Sequence, residues 1–210
     1  MKKRILFLIA GLLLVFSSLY SAKIEVFTAD NIVQLIKDKI SKVQSFRGSF
    51  TYTLNNKTSS GTILYKSPSK FSLNYSTGQR IISDGKELWL IFYSQNIAIK
   101  EPLDKIKDTP LMGWNIDRLL YEYAPTLPKE GHIDKLNNKE VYKIYYIPKS
   151  TTSGFKSLLM YVSQDGDILK VDAINQLNLT LSFSIRYDAF NEAVADWNFK
   201  YQENEGTQIY

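Results

Sequence analysis

The stretch of sequence at 61–89, GTILYKSPSKFSLNYSTGQRIISDGKELW, predicts three strands joined by two tight connections. Apolar and polar residues alternate in its first half, which is the period of a strand with one buried face. The Ser-Pro-Ser segment at 67–69 suits a turn or a strand edge, where no ladder N–H is needed. The Asp-Gly pair at 84–85 suits a tight hairpin. The stretch therefore predicts a β-meander with one apolar, aromatic face.

Strand patterns continue on both sides of this meander. Before it, one apolar set alternates with polar residues: Phe46, Gly48, Phe50, Tyr52 and Leu54. Near the C-terminus, a second apolar set does the same without exception: Leu177, Leu179, Leu181, Phe183, Ile185 and Tyr187. The strand predicted at 88–93 is apolar on both faces, so another part of the chain must cover it from outside. The aromatic residues at 197–201 predict a final short strand.

Two segments predict helices rather than strands. From Asp30, which can cap a helix, apolar residues recur at helical spacing as far as Val43. This helix either packs on a core or covers the open mouth of a sheet, and the sequence leaves both possibilities open. Residues 101–128 combine several prolines with apolar residues and predict short amphipathic helices. We interpret this segment as a lid, with an ordinary crossover packed on the sheet as the alternative.

Long antiparallel strands with helices only near the start and the middle predict an α+β fold. The expected architecture is a curved antiparallel sheet that forms an incomplete, unclosed β-barrel, with an α-helical lid over its concave apolar face. In a closed small barrel the aromatic faces would fill a core. In an open barrel they would line a cavity for a lipid-like ligand. Composition alone does not distinguish these two outcomes.

Residues 1–22 predict a secretory signal peptide, because a basic start precedes an apolar run that ends in small or polar residues. That run is short for a membrane span, which needs about 20 apolar residues. Residues 23–210 are then expected to form a single soluble domain in the periplasm, as a monomer. Without Lys2, Lys3 and Arg4 the Lys+Arg count falls from 26 to 23 against 21 Asp+Glu, which lowers the net charge from +5 to +2. We therefore expect no nucleic-acid partner.

Residues that could support catalysis or metal binding are scarce. The chain has no cysteine, so it can form neither a disulfide nor a cysteine-linked lipid anchor. Its single histidine, His132, is expected in a solvated turn, where it would suit neither a transition-metal site nor a catalytic triad. No G-x-S-x-G elbow, P-loop or dinucleotide fingerprint is present. We expect no catalytic residue, no metal site, no cofactor and no enzymatic activity.

Several motifs resemble the periplasmic outer-membrane lipoprotein carrier family, the LolA family. KISKVQSFRGSFTYT at 39–53 resembles the end of the family's first helix and the strand after it, and 61–89 resembles its central motif. DTPL at 108–111 resembles the start of a lid helix, and the Asp-Gly pair at 165–166 with the strands after it is similar to the C-terminal half. The resemblance covers nearly the whole mature chain.

The chain departs from the family pattern at Ser67, where members usually have an arginine that helps to hold the lid closed. Lys66, Arg47 or Arg80 could supply a replacement donor, although an ammonium group does not reproduce a guanidinium fork. The tail also has Gln202 where the family usually has a proline.

The resemblance implies a carrier that binds lipoprotein acyl chains in an apolar cavity and shuttles them from the inner membrane to the outer membrane. It implies an inner-membrane ATP-driven lipoprotein-releasing complex as donor and an outer-membrane lipoprotein receptor as acceptor. The alternative is a lipid-sensing or glycolipid-binding periplasmic protein of the same fold that acts through a partner. A periplasmic enzyme acting on lipid or glycan is disfavoured because no base and nucleophile are evident.

The predicted lipid-binding residues are apolar or aromatic: Phe50, Tyr52, Phe71, Leu73, Tyr75, Trp89, Met112, Leu181, Phe183 and Ile185. Six are expected to face a common cavity rather than a solid core: Phe50, Phe71, Leu73, Tyr75, Leu181 and Phe183. Phe71 is expected near the rim of this cavity, where an introduced charge could reach water.

Overall fold

The computed structural model describes residues 27–103, 116–203 and 205–210. Its elements are helix α1 (Ala29–Lys42), β1 (Ser45–Leu54), β2 (Lys57–Lys66), β3 (Lys70–Tyr75), β4 (Gln79–Asp84), β5 (Glu87–Phe92), a 3-10 helix (Tyr93–Gln95), β6 (Ile97–Pro102), helix α2 (Ile116–Glu122), β7 (Tyr123–Thr126), β8 (Ile133–Leu136), β9 (Lys139–Pro148), β10 (Phe155–Ser163), β11 (Ile168–Asn175), β12 (Thr180–Phe190), a second 3-10 helix (Asp196–Phe199) and β13 (Gln208–Ile209). The predicted signal peptide at 1–22 and the part of the predicted lid at 104–115 lie outside the described residues.

The strands form one curved sheet in the order β13-β6-β5-β4-β3-β2-β1-β12-β11-β10-β9-β7, with β8 also pairing with β9. Neighbouring strands are antiparallel, except that β13 runs parallel to β6. The pairing of β1 with β12 joins the N-terminal half of the sheet to the C-terminal half. The described strands do not close into a cylinder. The prediction of an α+β fold built on a curved, unclosed antiparallel sheet is confirmed.

The stretch at 61–89 contributes to four strands, β2 to β5, rather than three. The extra connection is the turn between β3 and β4, where Gly78 has a φ of 82° and donates its N–H to the carbonyl of Tyr75 at 3.1 Å. Glycine adopts this left-handed conformation without a steric penalty. The meander is therefore confirmed with one more strand than its alternation pattern predicted.

Helix α1 begins after Thr28, not at the predicted cap Asp30. The backbone N–H of Thr28 donates to the side-chain oxygen of Asn31 at 2.7 Å, which ties the chain at the start of the helix. Asp30 instead lies in the first turn, where a negative charge is favourable near the helix N-terminus. The helix buries Ile32, Val33 and Ile36 against the sheet.

Two apolar clusters lie on the same face of the sheet, which we call the inner face. The helix-covered cluster consists of buried residues from α1, α2 and the C-terminal strands: Ile32, Val33, Ile36, Ile116, Leu119, Tyr123, Ile144, Tyr146, Phe155, Leu158, Met160, Val162, Ile168, Val171 and Ala173. The meander cluster is built on β1, β2, β3, β5 and β12: Phe46, Phe50, Ile63, Tyr65, Phe71, Leu73, Leu88 and Ile185. Helix α1 thus packs on the C-terminal half of the inner face.

A third cluster lies on the opposite, outer face and contains Ile82, Ile91, Ala98 and Phe199. Phe199 belongs to the 3-10 helix, so the predicted strand at 197–201 is wrong. This helix places Phe199 on the strands from outside, while Trp197 stays 65% exposed. The prediction that another part of the chain covers the outer side of β5 is confirmed, and that part is the segment at 192–201, which we call the C-terminal strap.

The alternation of apolar and polar residues that starts at Leu177 begins three residues before strand β12. Leu177 is 76% exposed, and β12 begins only at Thr180. The side chain of Asn175 accepts the N–H groups of Leu177 and Leu179 at 3.0 and 2.9 Å, and Asn178 has a φ of 60°. These local hydrogen bonds hold a turn where the hydrophobic pattern predicted a continuous strand.

Candidate functional site

The meander cluster is the candidate site, and Phe50 lies at its centre. Phe50 is 2% exposed, and its ring stacks on Phe183 at a centroid distance of 5.5 Å. The ring of Tyr75 meets it edge-on at 4.9 Å. Such offset and edge-to-face pairs are favourable for aromatic rings. Strand pairing positions these rings, because Phe50 lies opposite Ile185 on β12 and opposite Gly61 on β2.

Seven predicted site residues are brought together in this cluster or packed against it: Phe50, Tyr52, Phe71, Leu73, Tyr75, Phe183 and Ile185. Leu181 packs against the helix-covered cluster instead. Trp89 lies on the outer face, where its ring stacks on Tyr201 at 4.7 Å. Met112 lies outside the described residues. The structure therefore groups most of the predicted residues and separates Leu181 and Trp89 from them.

Phe71 is only 3% exposed, so the expectation that a charge at this position could reach water is wrong. The side chain lies opposite Tyr65 of β2 and Ser83 of β4, inside the sheet rather than at its margin. Phe71 therefore belongs to the packed part of the meander cluster.

Burial further favours the uncharged form of the tyrosines of the site. Loss of solvent raises the pKa of Tyr75 to about 12, with a smaller contribution from the neighbouring Tyr52. Burial also raises the pKa of Tyr65 and of Tyr52. A buried hydroxyl ionises less readily because the charged form loses its hydration. Near neutral pH the cluster therefore presents neutral aromatic and aliphatic groups, which suit an apolar ligand.

Several residues of the cluster were not among the predicted site residues: Phe46, Ile63, Tyr65, Leu88, Tyr187 and Phe190. The alternation in β1 and β2 could have identified Phe46, Ile63 and Tyr65. Phe190 had no such signal, because Asp188 of β12 is an extra residue between the partners of Arg47 and Gly48 and shifts the register of β12 against β1. This shift places Phe190 opposite Phe46, a pairing that the sequence pattern of β12 does not contain.

A small void of about 30 Å³ lies where the end of helix α1 meets the meander cluster. Its lining includes Lys39, Phe46, Tyr65 and Tyr187. Lys39 pairs with Asp167 at 2.9 Å and lies 4.3 Å from the centre of the Phe190 ring. The void is about the size of one water molecule, so the side chains around it are packed together. A ligand of drug size needs roughly 300 Å³ or more.

A larger groove of about 460 Å³ is lined by residues of β9 to β12 and by Thr53 and Asn56. Many of its side chains are polar, including Ser157, Asp172 and Ser182. Asp172 is ion-paired with Lys170 at 2.7 Å. Burying these polar groups under an acyl chain would be unfavourable. The groove is therefore a poorer site for an apolar ligand than the meander cluster.

The three basic residues considered as replacements for the family arginine all contact the C-terminal strap. Lys66 donates to the carbonyl of Val194 and to Asp196, at 2.8 and 2.7 Å. Arg80 donates to the carbonyl of Asn198 at 3.0 Å. Arg47 pairs with Glu192 at 2.8 Å. In this conformation these contacts hold the strap.

Replacing Asp196 with asparagine is expected to remove an acid-sensitive step in the packing of the strap. Hydrogen bonds from Lys66, then from Lys70, lower the pKa of Asp196 from 3.8 to about 2. A lowered pKa means that the contact stabilises the fold above pH 3.8 and is lost as the pH falls through about 2. Tryptophan emission should report this, since Trp197 is adjacent. Between pH 3.8 and about 2 the emission of the wild type and of the control Glu203→Gln should shift, whereas that of Asp196→Asn should not. An equal shift in Asp196→Asn and in the control would assign the shift to other carboxylates.

Among residues 27–103, 116–203 and 205–210, no three His, Asp or Glu side chains are grouped as metal ligands. Within the same ranges, no helix has the length and apolar character to span a bilayer. His132 is not in a fully solvated turn, because its ring stacks on Phe27 at 4.6 Å.

The geometry resembles that of known proteins. An uncharacterized conserved protein from Thermus thermophilus matches with a TM-score of 0.59 and 11% identity, over 87% of this chain and 98% of that chain. The MucA/MucB complex structure of Pseudomonas aeruginosa matches with a TM-score of 0.52 and 16% identity, over 83% of this chain and 61% of that chain. At these identities the likeness is one of fold. No curated protein matches the sequence.

The sequence itself matches a family over residues 41–202, from the end of helix α1 to the end of the C-terminal strap. This range contains both inner clusters of the sheet apart from the residues that α1 contributes. The description of that family is "Outer membrane lipoprotein carrier protein LolA". The chain belongs to the LolA family of outer membrane lipoprotein carrier proteins.

Proposed function

We propose that the chain is a non-enzymatic periplasmic carrier that binds lipoprotein acyl chains at the meander cluster. In this proposal residues 1–22 are removed as a signal peptide on export, and residues 23–210 form the mature domain. An inner-membrane ATP-driven lipoprotein-releasing complex supplies the cargo, and an outer-membrane lipoprotein receptor accepts it. The binding residues include Phe50, Tyr52 and Phe183. The observation that supports this most is an inner face with a continuous neutral aromatic cluster in a chain of the lipoprotein carrier family.

Acyl chains need such a surface because each CH₂ group transferred out of water is worth about 0.8 kcal/mol. A single long chain therefore gains roughly 10 kcal/mol by leaving water. The meander cluster offers aromatic rings and aliphatic side chains for this purpose, and its tyrosines stay neutral. No covalent step is required for either uptake or release.

The void of about 30 Å³ at the end of helix α1 is too small for an acyl chain. In this proposal an acyl chain instead enters between rings of the cluster that contact one another in this conformation, such as Phe50 and Phe183. A ligand shifts a conformational equilibrium only by its preference for one state. Acyl-chain burial has to exceed the cost of opening the cluster.

Binding of a triacylated lipopeptide is the direct test. Tyr52 is half-buried at the margin of the cluster, whereas its neighbour Thr51 is exposed and points to the outer face. A carboxylate in a dry apolar site is costly, so Tyr52→Glu should weaken lipopeptide binding at least tenfold. Thr51→Glu adds the same charge one residue away and should bind like the wild type. The measurement is displacement of an apolar fluorescent dye, with the unacylated peptide as the ligand control.

Equal lipopeptide affinity for wild type, Tyr52→Glu and Thr51→Glu would show that the meander cluster is not the binding site.

Transport itself is tested by following a radiolabelled lipoprotein from inner-membrane vesicles to outer-membrane vesicles. Tight lipopeptide binding without any transfer would support the alternative, a lipid-sensing or glycolipid-binding protein that acts through a partner. No binding of acylated ligand by the wild type would contradict both.

A further inference from the structure

One buried hydroxyl group on the inner face has no hydrogen-bond partner among the described residues. Tyr146 of β9 is 0% exposed and belongs to the helix-covered cluster. Its hydroxyl oxygen is the one buried side-chain nitrogen or oxygen atom of the described residues that makes no hydrogen bond. A phenylalanine would fill the same space without placing a polar group out of water. The hydroxyl therefore costs stability in the free protein and is not explained by packing.

Other tyrosine hydroxyls on the inner face are paired. Tyr123 of β7 is 1% exposed, and its hydroxyl accepts the N–H of Phe155 at 3.0 Å. The hydroxyl of Tyr187 donates to the carbonyl of Ile168 at 2.8 Å. Buried polar groups are normally satisfied in this way. Burial raises the pKa of Tyr146, so its hydroxyl keeps its proton near neutral pH and offers a hydrogen-bond donor that this conformation leaves unused.

Apolar side chains surround this donor. Tyr146 lies between Pro125 of β7 and Leu158 of β10, and its cluster includes residues of helices α1 and α2. Apart from Tyr123, the other buried members of the cluster carry no side-chain oxygen or nitrogen. A charged or strongly hydrated group would be costly here. A ligand that binds at this place must therefore be apolar except for an uncharged acceptor that meets the hydroxyl.

A row of apolar side chains leads from Tyr146 towards the meander cluster. Leu158 of β10 lies beside Tyr146, and Ala173 of β11 and Leu181 of β12 continue the row. Phe183, two residues along β12 from Leu181, packs against the meander cluster. The three strand spacings from β9 to β12 amount to about 14 Å. One leaflet of a bilayer core, which an acyl chain fills, is about 15 Å thick, so a chain that starts at Tyr146 reaches Phe183.

We propose that the Tyr146 hydroxyl donates a hydrogen bond to the ester carbonyl of a bound acyl chain and so selects ester-linked lipid. This inference rests on the proposed function, because it names the group of the lipid that the inner face recognises. An ester carbonyl accepts a hydrogen bond and carries no charge, which matches a single donor among apolar side chains. The attached chain lies along Leu158, Ala173 and Leu181 and ends in the meander cluster.

Ligands that differ only in this carbonyl group test the proposal. The first is a lipopeptide with ester-linked palmitoyl chains on its glyceryl group, and the second is the same peptide with ether-linked hexadecyl chains, which have no carbonyl. Tyr146→Phe should weaken binding of the ester ligand at least tenfold, because the buried carbonyl loses its donor. It should leave binding of the ether ligand unchanged. Tyr145→Phe is the matched control and should bind both ligands like the wild type, because strand alternation directs residue 145 to the outer face.

Two further measurements separate hydrogen bonding from packing. With a ¹³C label at the ester carbonyls, the carbonyl stretching band of the bound ligand should lie at lower frequency in the wild type than in Tyr146→Phe, because a hydrogen bond weakens the C=O bond. The melting temperature of ligand-free Tyr146→Phe should not fall, since no hydrogen bond is lost. That of Tyr123→Phe should fall, because the N–H of Phe155 loses its acceptor.

Three results would overturn this inference and leave the proposed function standing. One is an equal effect of Tyr146→Phe on the ester and ether ligands, and another is a carbonyl band at the same frequency in both proteins. The third is a melting temperature that falls as much in Tyr146→Phe as in Tyr123→Phe, which would show that the hydroxyl is already paired in the free protein, for example with a buried water. Failure of the wild type to bind either ligand would instead contradict the proposed function, and this inference with it.

Discussion

Replacing Phe50 with alanine is expected to lower the free energy of unfolding by about 3–5 kcal/mol, the usual cost of truncating a buried phenylalanine. Phe50 contacts Phe183 and Tyr75 and is 2% exposed. It also lies against Gly61, where the close approach of the ring and of the Asn74 carbonyl leaves no room for a Cβ atom. The strands on both sides are therefore held too closely to collapse into the space that the ring leaves.

Urea unfolding followed by circular dichroism measures this loss. Thr51→Ala is the matched control, because Thr51 is the next residue on β1 and is exposed; its effect should stay within about 0.5 kcal/mol. A domain of this kind has a total stability of about 5–15 kcal/mol, so Phe50→Ala should lose a large part of it. A loss below about 1 kcal/mol, within the range of ordinary surface effects, would mean that the ring lines a space rather than fills a core. That result would favour a preformed cavity at the meander cluster.

Gly166→Ala is expected to separate helix α1 from the turn between β10 and β11. Gly166 has a φ of 88°, and a Cβ atom there would collide with the backbone carbonyl of Leu35 and the side chain of Lys39. The left-handed conformation alone costs a non-glycine residue about 1–2 kcal/mol. Forcing extra volume into a packed contact adds about 1–3 kcal/mol. The neighbouring ion pair of Lys39 with Asp167 should be disturbed as well.

Gly78→Ala provides the control for this second effect. Gly78 has a φ of 82°, close to that of Gly166, but apart from its chain neighbours no atom of the described residues lies within 4 Å of the position that a Cβ atom would take there. Gly78→Ala should therefore show the conformational cost without the collision. The difference between the two variants in urea unfolding isolates the contact with helix α1, and hydrogen exchange of the α1 amides locates it. Equal losses in the two variants would show that the helix does not depend on this contact.

The alternation of apolar residues was sufficient to predict the fold class. In the meander and in β12, side chains such as Leu73 and Phe183 point to the same face because a strand repeats every two residues. This is a local property, so it is visible in the sequence. The grouping of Phe50, Tyr52 and Tyr75 at one site follows from the same periodicity once the strands pair in order along the chain.

Local side-chain chemistry overrode this pattern at the ends of elements. Asn175 holds a turn that exposes Leu177, although the alternation includes that residue. Thr28 and Asn31 start helix α1 two residues before the predicted cap. In both cases a polar side chain bonds to a nearby backbone N–H, and that bond outweighs the hydrophobic period.

A curved antiparallel sheet with one aromatic inner face can be predicted from the sequence alone, because periods of two and of 3.6 residues are local. The parts of the chain that cover that sheet are set by contacts between residues far apart in sequence. Lys66 reaches Asp196 across 130 residues of sequence, and the outer face of β5 is covered by Phe199 rather than by a further strand. The placement of Trp89 on that outer face follows from the same long-range packing. Such contacts depend on the register and curvature of the whole sheet, and no local pattern encodes them.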